Sequence, residues 1–231
     1  MDIQGKIAIV TGVSSGIGYA TVLELLEQGA KVVGWGRHDP EIKNDYFIFI
    51  QTDVQDQEQV ERAFDQSIAI WDQQVDVLVN NAGIAHFAPT EKMDMEKWHT
   101  MFNVNVHGMY YCTRQVIPQM RQQQRGHIIN ISSIAGTNGI KQGAGYAGTK
   151  HAVRGMSHSW FRELREDNIK VSCLYPGSVN TLFFDNVEGT TANETMLNPR
   201  DIAQTICNVI KTPDNFLTVD VEMRPMNPRY S

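Results

Sequence analysis

The chain has 231 residues, 42% of them hydrophobic, and a formal net charge of −6. That length and apolar content suit one large domain, residues 1–231, able to bury a sizeable core, and argue against disorder. The acidic balance with scattered basic residues argues against a nucleic-acid phosphate track, and no apolar run is long enough to span a membrane.

Cys112, Cys173 and Cys207 have neither metal spacing nor an even count, so a reduced, cytoplasmic protein without a metal is expected. Met1 runs almost directly into a strand, which leaves no room for a signal peptide. In chain order, Ile7 to Thr11 reads as a short apolar strand, followed by G-V-S-S-G-I-G from Gly12 to Gly18. A helix of A-T-V-L-E-L-L-E-Q then stops at Gly29, and Lys31 to Gly36 is the next strand. Strand, glycine turn, helix and strand make a βαβ unit. Gly12 permits the tight turn, while Gly16 and Gly18 let a pyrophosphate and the helix approach the backbone. The helix N-terminus offers unpaired N–H groups and a positive dipole to phosphates. Glycines so arranged can also be plain turn punctuation, but the strand before and the helix after favour dinucleotide binding.

The next connection is short. Only eight residues, including Pro40, separate Arg37 from the apolar run Tyr46 to Ile50. A parallel crossover takes about a dozen or more, usually with a helix, so that helix should be reduced to a loop or single turn. Asp56 to Ile70 has a helical period, and Val75 to Val79 is a strand ending in N-N-A-G at 80–83. Asp94 can cap a long helix through Met120. His127 to Ile131 is a buried strand, a helix carrying Tyr146 runs to about Arg165, and Ile169 to Tyr175 is a strand broken at Pro176-Gly177. Residues 178–198 read as a mobile substrate loop, Pro199 begins another helix, and Leu217 to Met223 alternates as a last strand. Repeated βα units predict a doubly wound, Rossmann-type α/β fold: a parallel sheet of about seven strands, helices on both faces, and ligands at the strand carboxyl ends.

One such strand end carries proton-transfer chemistry. Ser133 follows the His127–Ile131 strand, and Tyr146 is followed four positions later by Lys150, one helical turn away on the same face. A free phenol has a pKa of roughly 10 and is a poor base at neutral pH; an adjacent ammonium favours the phenolate. Moving the phenol by about 3 units takes roughly 4 kcal/mol. Taken alone, Y-x-x-x-K recurs by chance in many helices.

Four signatures in register resolve that ambiguity: T-G-V-S-S-G-I-G at 11–18, N-N-A-G at 80–83, Ser133 with Tyr146 and Lys150, and P-G at 176–177. Over essentially its whole length the chain resembles the short-chain dehydrogenase/reductase family, in its compact single-domain subgroup. The resemblance implies an oxidoreductase in which Tyr146 is the general acid or base. Lys150 would lower its pKa and hold the nicotinamide ribose, and Ser133 would hold the substrate carbonyl. Asn105, in N-V-N-V-H-G, matches the family's helix asparagine that holds a relay water; from the sequence it can equally be a helix-kink residue paired with backbone carbonyls. Gly12, Ser14, Ser15, Gly16, Ile17 and Gly18 would carry the cofactor phosphates. Asp53 and Val54 would lie beside the adenine, Asn81 under the adjacent ribose with Ala82 and Gly83, and Pro176, Gly177, Val179 and Thr181 near the nicotinamide.

Cofactor choice turns on the end of the second strand. Relatives using NAD carry an acid there; this chain has Gly36 followed by Arg37, whose guanidinium suits a 2′-phosphate, with His38 and Lys43 nearby. Against this, Ser15 stands where many NADP-type relatives place a basic residue, and Arg37 could instead be a solvated charge on the adenine. NADP(H) is favoured over NAD(H). The substrate is expected to be a small-molecule carbonyl or secondary alcohol. At positions where acyl-carrier-protein reductases of the family hold an acidic carrier with basic residues, this chain has Gln124 and Asp167, with Arg125 adjacent. The strand V-D-V-E-M-R-P resembles that of relatives acting on small hydroxy acids. Leu182, Phe183, Phe184 and Met196 suggest an apolar lid, which fits a medium or apolar carbonyl slightly better than a small acid. A non-catalytic nucleotide-binding regulator is the alternative, and the retained Tyr146 and Lys150 argue against it. Apolar side chains on the long helices (Met109, Tyr110, Val153, Met156, Trp160) predict a homo-oligomer, a tetramer or dimer.

Overall fold

The apolar runs become seven strands of one parallel sheet in the computed structural model, which describes residues 1–71, 74–181, 193 and 195–226. The strands are β1 (Ile7–Thr11), β2 (Lys31–Gly36), β3 (Phe47–Gln51), β4 (Val77–Asn80), β5 (Gly126–Ile131), β6 (Ile169–Pro176) and β7 (Asp220–Met223). Their spatial order is β3-β2-β1-β4-β5-β6-β7, so the chain reverses direction across the sheet between β1 and β4. In an open α/β sheet the crevice at such a switch point receives the ligand.

Helices α1 (Gly16–Glu27) and α6 (Pro199–Ile210) cover one face over Val10, Val32, Val79, Ile129 and Leu174. The other face, with Ile9, Trp35, Leu78, Ile128 and Cys173, lies under α2 (Gln57–Ile70), α4 (Met109–Gln123) and α5 (Ala144–Leu164). Helix starts follow their capping residues. Asp56 accepts from the amides of Glu58 and Gln59, and Asn198 accepts from Arg200 N with Pro199 opening α6. The β2–β3 connection has no helix, as its length demands, and Ile42 from that loop packs against the core on the α1 face.

Four boundaries differ from expectation. Asp94 caps α3 (Met95–Phe102), but the long helix then widens into a π-helical segment, Asn103–Gly108, and α4 runs on to a left-handed cap at Gln124 (φ 51°). β4 begins at Val77, although the Asp76 backbone still bonds Ile7 O and His127 N, and the Asp76 side chain accepts from Ile7 N and pairs with Lys6 and Arg125. β7 begins at Asp220, and the segment before it wraps the Lys170 ammonium, which donates to the carbonyls of Thr212, Pro213 and Phe216. Arg125 directly precedes β5, at the end of the sheet opposite the strand carboxyl ends, and pairs with Asp76.

Of the 178–198 segment the described residues show its base, where Val179 pairs with Leu197 in a parallel bridge. The expected mobility, and Leu182, Phe183 and Phe184 of the lid, lie outside the described residues. No described helix is long and apolar enough to cross a membrane.

Candidate active site

Backbone sterics shape the crevice between β1 and β4. Gly12 has φ +71°, and a Cβ there would fall 2.8 Å from Ala82 Cα. A Cβ on Gly18 would overlap the Gly12 carbonyl and the Asn81 side chain, so only glycine lets α1 approach the turn this closely. Asn81 locks the arrangement, donating from Nδ2 to Thr11 O (2.9 Å) and Gly12 O (3.0 Å). Thr11 Oγ1 accepts from the amides of both Asn81 and Ala82, each at 3.0 Å. The first turn of α1, from Gly16 through Ile17 and Gly18, therefore presents its backbone amides to the crevice, with Ser15 at the helix N-cap and no side-chain cap bond.

Toward β2 and β3 the crevice becomes basic. Ser14 Oγ donates to His38 O at 2.8 Å, joining the glycine turn to the exposed Arg37-His38 pair. Arg37, His38 and Arg62 line a cavity of about 560 Å³ with Gln51, Gln59 and a single carboxylate, Asp53. Asp53 is held in place by Gln55, while Val54 is buried against Gly108 of the π-helical segment. At Gly36 a Cβ would meet only ordinary contacts, the nearest Ser14 Oγ at 3.4 Å.

The candidate reacting groups gather at the carboxyl end of β5. Tyr146, on the first turn of α5, is 7% exposed, and its phenol is hydrogen-bonded to Ser133, two residues past the end of β5. Lys150 Nζ donates to Ile131 O at 2.9 Å and lies 5.8 Å from the centre of the Tyr146 ring. Burial pushes the phenol up to about 12, with the Ser133 hydrogen bond acting in the opposite direction, and pushes the Lys150 ammonium down to about 8. Gly83 separates the two partners of this site: a Cβ on it would come 3.3 Å from Asn105 Oδ1 and 3.5 Å from Lys150 Nζ.

Asn105 lies in the π-helical segment, where its side chain clamps Ile84, accepting from Ile84 N and donating to Ile84 O, both at 2.9 Å. Its amide also donates to Thr149 Oγ1 at 3.0 Å, so the side chain bonds both to backbone and to α5. Pro176 ends β6, and Gly177 N donates to Met223 O at 2.7 Å. Val179 is buried, and Thr181 rests against the glycine turn, its Cγ2 3.1 Å from where a Gly16 Cβ would sit. The structure therefore brings the glycine turn, the 80–83 loop, the Ser133-Tyr146-Lys150 group and the start of the 178–198 segment to one crevice.

Three residues at the site went unassigned in the sequence. Thr11 stands inside a quoted motif, and its two accepted amide bonds give it a role there. Phe87 packs its ring 5.7 Å from that of Tyr146, and Thr149 is wholly buried beside Asn105. Among the described residues no three His, Cys, Asp or Glu side chains are grouped to hold a metal ion.

Comparison with known proteins agrees with this geometry. The family model described as short chain dehydrogenase matches residues 6–191. The chain is 31% identical to a 3-oxoacyl-(acyl-carrier-protein) reductase of Thermotoga maritima, with 96% of each chain covered. It is also 31% identical to an uncharacterised oxidoreductase of Staphylococcus saprophyticus, over 98% of this chain and 100% of the relative. A serine dehydrogenase structure complexed with NADP+ has a TM-score of 0.89 at 33% identity, covering 94% of each chain. A 3-ketoacyl-(acyl-carrier-protein) reductase from Brucella melitensis complexed with NADH also has a TM-score of 0.89, at 26% identity over 97% of this chain and 98% of that one. With its family model matched over most of its length, the chain belongs to the short-chain dehydrogenase family.

Proposed function

We propose that the chain catalyses reversible hydride transfer between NADP(H) and a carbonyl or secondary-alcohol substrate, in the cytoplasm. The observation that carries this reading is the buried Tyr146 phenol, bonded to Ser133 and beside the Lys150 ammonium, at the mouth of a crevice whose glycines leave room for a dinucleotide. The bound cofactor would supply or accept the hydride. Gly12, Ser14, Ser15, Gly16, Ile17 and Gly18 would hold its pyrophosphate, Asp53 and Val54 its adenine, Asn81, Ala82 and Gly83 the adjacent ribose, and Pro176, Gly177, Val179 and Thr181 its nicotinamide end. In reduction, Ser133 donates a hydrogen bond to the carbonyl oxygen, and Tyr146 passes its proton to that oxygen as negative charge develops. Lys150 then stabilises the phenolate left behind, because a nearby cation favours the charged form.

The basic cavity beside Arg37 supports a 2′-phosphate and hence NADP(H), although one similar structure is complexed with NADH. Phe87 against Tyr146 supports an apolar wall and a medium or apolar carbonyl. Arg125, tied to Asp76 at the far sheet edge, lends no support to an acidic carrier. An exposed Tyr110 stacked on Trp160, centroids 6.5 Å apart, supports a second copy against the α4–α5 face and so a homodimer or homotetramer. All three cysteines are free and buried, in keeping with a reducing compartment.

The test is a panel of ketones and alcohols assayed by NADPH and NADH absorbance. Turnover of ketones with NADPH is expected. Cofactor binding without turnover of any substrate would leave only a nucleotide-binding protein.

A further inference from the structure

We propose that Thr149 is a positioning residue for proton transfer, its hydroxyl tying the Asn105 segment to the turn that carries Tyr146. This rests on the hydride-transfer reading above. Thr149 is fully buried. Its Oγ1 donates to Tyr146 O at 2.7 Å and accepts from Asn105 Nδ2 at 3.0 Å. A threonine bonding back to its own helix is commonplace and satisfies a hydroxyl locally. What sets Thr149 apart is the second bond, which reaches a residue 44 positions away in the π-helical segment.

The hydrogen-bond capacity of the Asn105 amide shows why this matters. Its nitrogen has two protons, one given to Ile84 O and the other to Thr149, while its oxygen accepts from Ile84 N. Ile84 directly follows Gly83, on which Asn105 and Lys150 close in. One hydroxyl thus connects the loop after β4, the π-helical segment and the first turn of α5, the three pieces of chain around the phenol and the ammonium. Removing it leaves a buried N–H of Asn105 without an acceptor. The amide must then turn or shift, which loosens the clamp on Ile84, and the turn carrying Tyr146 loses its tie to Asn105. Reacting groups displaced by about 1 Å can lose up to two decades of rate.

Thr149→Val deletes the hydroxyl at nearly constant volume, and Thr149→Ser keeps it. The assay uses NADPH with the ketone of the panel that wild type reduces fastest. NADPH affinity is read separately from the fluorescence of the bound nucleotide, and folding by circular dichroism. We expect Thr149→Val to lower kcat by about tenfold or more, as for a lost hydrogen bond of roughly 1.4 kcal/mol. Its NADPH dissociation constant should stay within about twofold of wild type, and Thr149→Ser should recover kcat to within about threefold, both well under that tenfold loss. A folded Thr149→Val with wild-type kcat overturns the proposal, as does a Thr149→Ser as slow as the valine variant, since the methyl would then be the part that matters. If Thr149→Val does not fold, Thr149→Ala is read in the same way, and failure of both to fold assigns the residue to structure alone and also overturns it. Absence of turnover by wild type on every ketone sinks the hydride-transfer reading and this proposal together, whereas an active wild type with a folded Thr149→Val that turns over equally fast sinks only the role of Thr149.

Discussion

Asn130 on β5 stands in register with Asn80 on β4 and accepts a 2.8 Å hydrogen bond from its amide. Asn130 in turn donates to Ser157 on α5 at 2.9 Å, and Asn80 donates to Thr113 on α4 at the same distance. A buried polar row thus bolts α4 and α5 to the sheet, two residues before Ser132 and three before Ser133. Asn130→Ala would leave the Asn80 amide short of an acceptor and Ser157 short of a donor. The cost should be about 2–4 kcal/mol, or roughly 5–15 °C in Tm for a chain of this size. Thermal unfolding measures it, and a shift under about 2 °C, less than about 1 kcal/mol, would show that the row contributes little.

Tyr146→Phe removes the acidic proton while keeping the ring that packs against Phe87. The fold and NADPH affinity should persist, and ketone reduction should fall by roughly two to four decades, the usual span for a general acid. Turnover near wild type would transfer the proton-donor role elsewhere.

The strands were legible because β-branched, apolar runs ended by glycine, proline or Asx residues have few other uses; β2 begins and ends where its pattern does. Ser133, Tyr146 and Lys150 were legible because strand end and helical turn fix their spacing. The supporting bonds were not. Thr11 meets Asn81 across 70 residues, and Thr149 meets Asn105 across 44, separations at which no periodicity operates. Nor could pattern show that Asp76 pairs with Lys6 and Arg125 or that Lys170 gathers the chain before β7. The Tyr146 phenol shows a further limit: the sequence supplies the neighbouring charge, but burial, which opposes it, exists only in the packed fold.

His127 gives the stability a pH dependence. The ring is wholly buried on β5, with Nε2 at 2.9 Å from Ser172 Oγ. Ser172 donates its own proton to Thr218 O, so it accepts from Nε2–H, and Nδ1 has no partner among the described residues. Burial, helped by the Lys170 and N-terminal charges, lowers the imidazole from 6.5 to about 3. Below pH 6.5 the unfolded chain takes up a proton that the folded chain refuses. Stability should therefore be full above that pH and fall as pH drops toward 3, by at most about 1.4 kcal/mol per unit. Urea unfolding at about pH 7.5 and 4.5 should show His127→Gln losing roughly 2 kcal/mol less than wild type over that interval. Equal losses would place the acid sensitivity elsewhere.

Cofactor preference should reverse at the end of β2. Arg37→Asp removes a cation from a cavity in which Arg37, His38 and Arg62 face a single carboxylate, Asp53. Gly36→Asp introduces the acid without touching Arg37, and the space exists, since a Cβ there meets Ser14 Oγ at 3.4 Å and nothing closer. A charge-assisted hydrogen bond is worth about 1.5–3 kcal/mol, roughly one to two decades in affinity, and repulsion between carboxylate and 2′-phosphate adds to its loss. Both variants should lower kcat/KM for NADPH by about tenfold or more. The gain for NADH should be smaller in Arg37→Asp, where the helix-free loop after β2 leaves the new acid less firmly placed than one at Gly36 on the strand itself. Arg62 offers a second cation within the cavity, so Arg37→Ala should lose less than Arg37→Asp. If both acidic variants keep NADPH efficiency within about threefold, short of the decade set by one lost charge-assisted bond, Arg37 does not read the phosphate and the preference for NADP(H) falls with it.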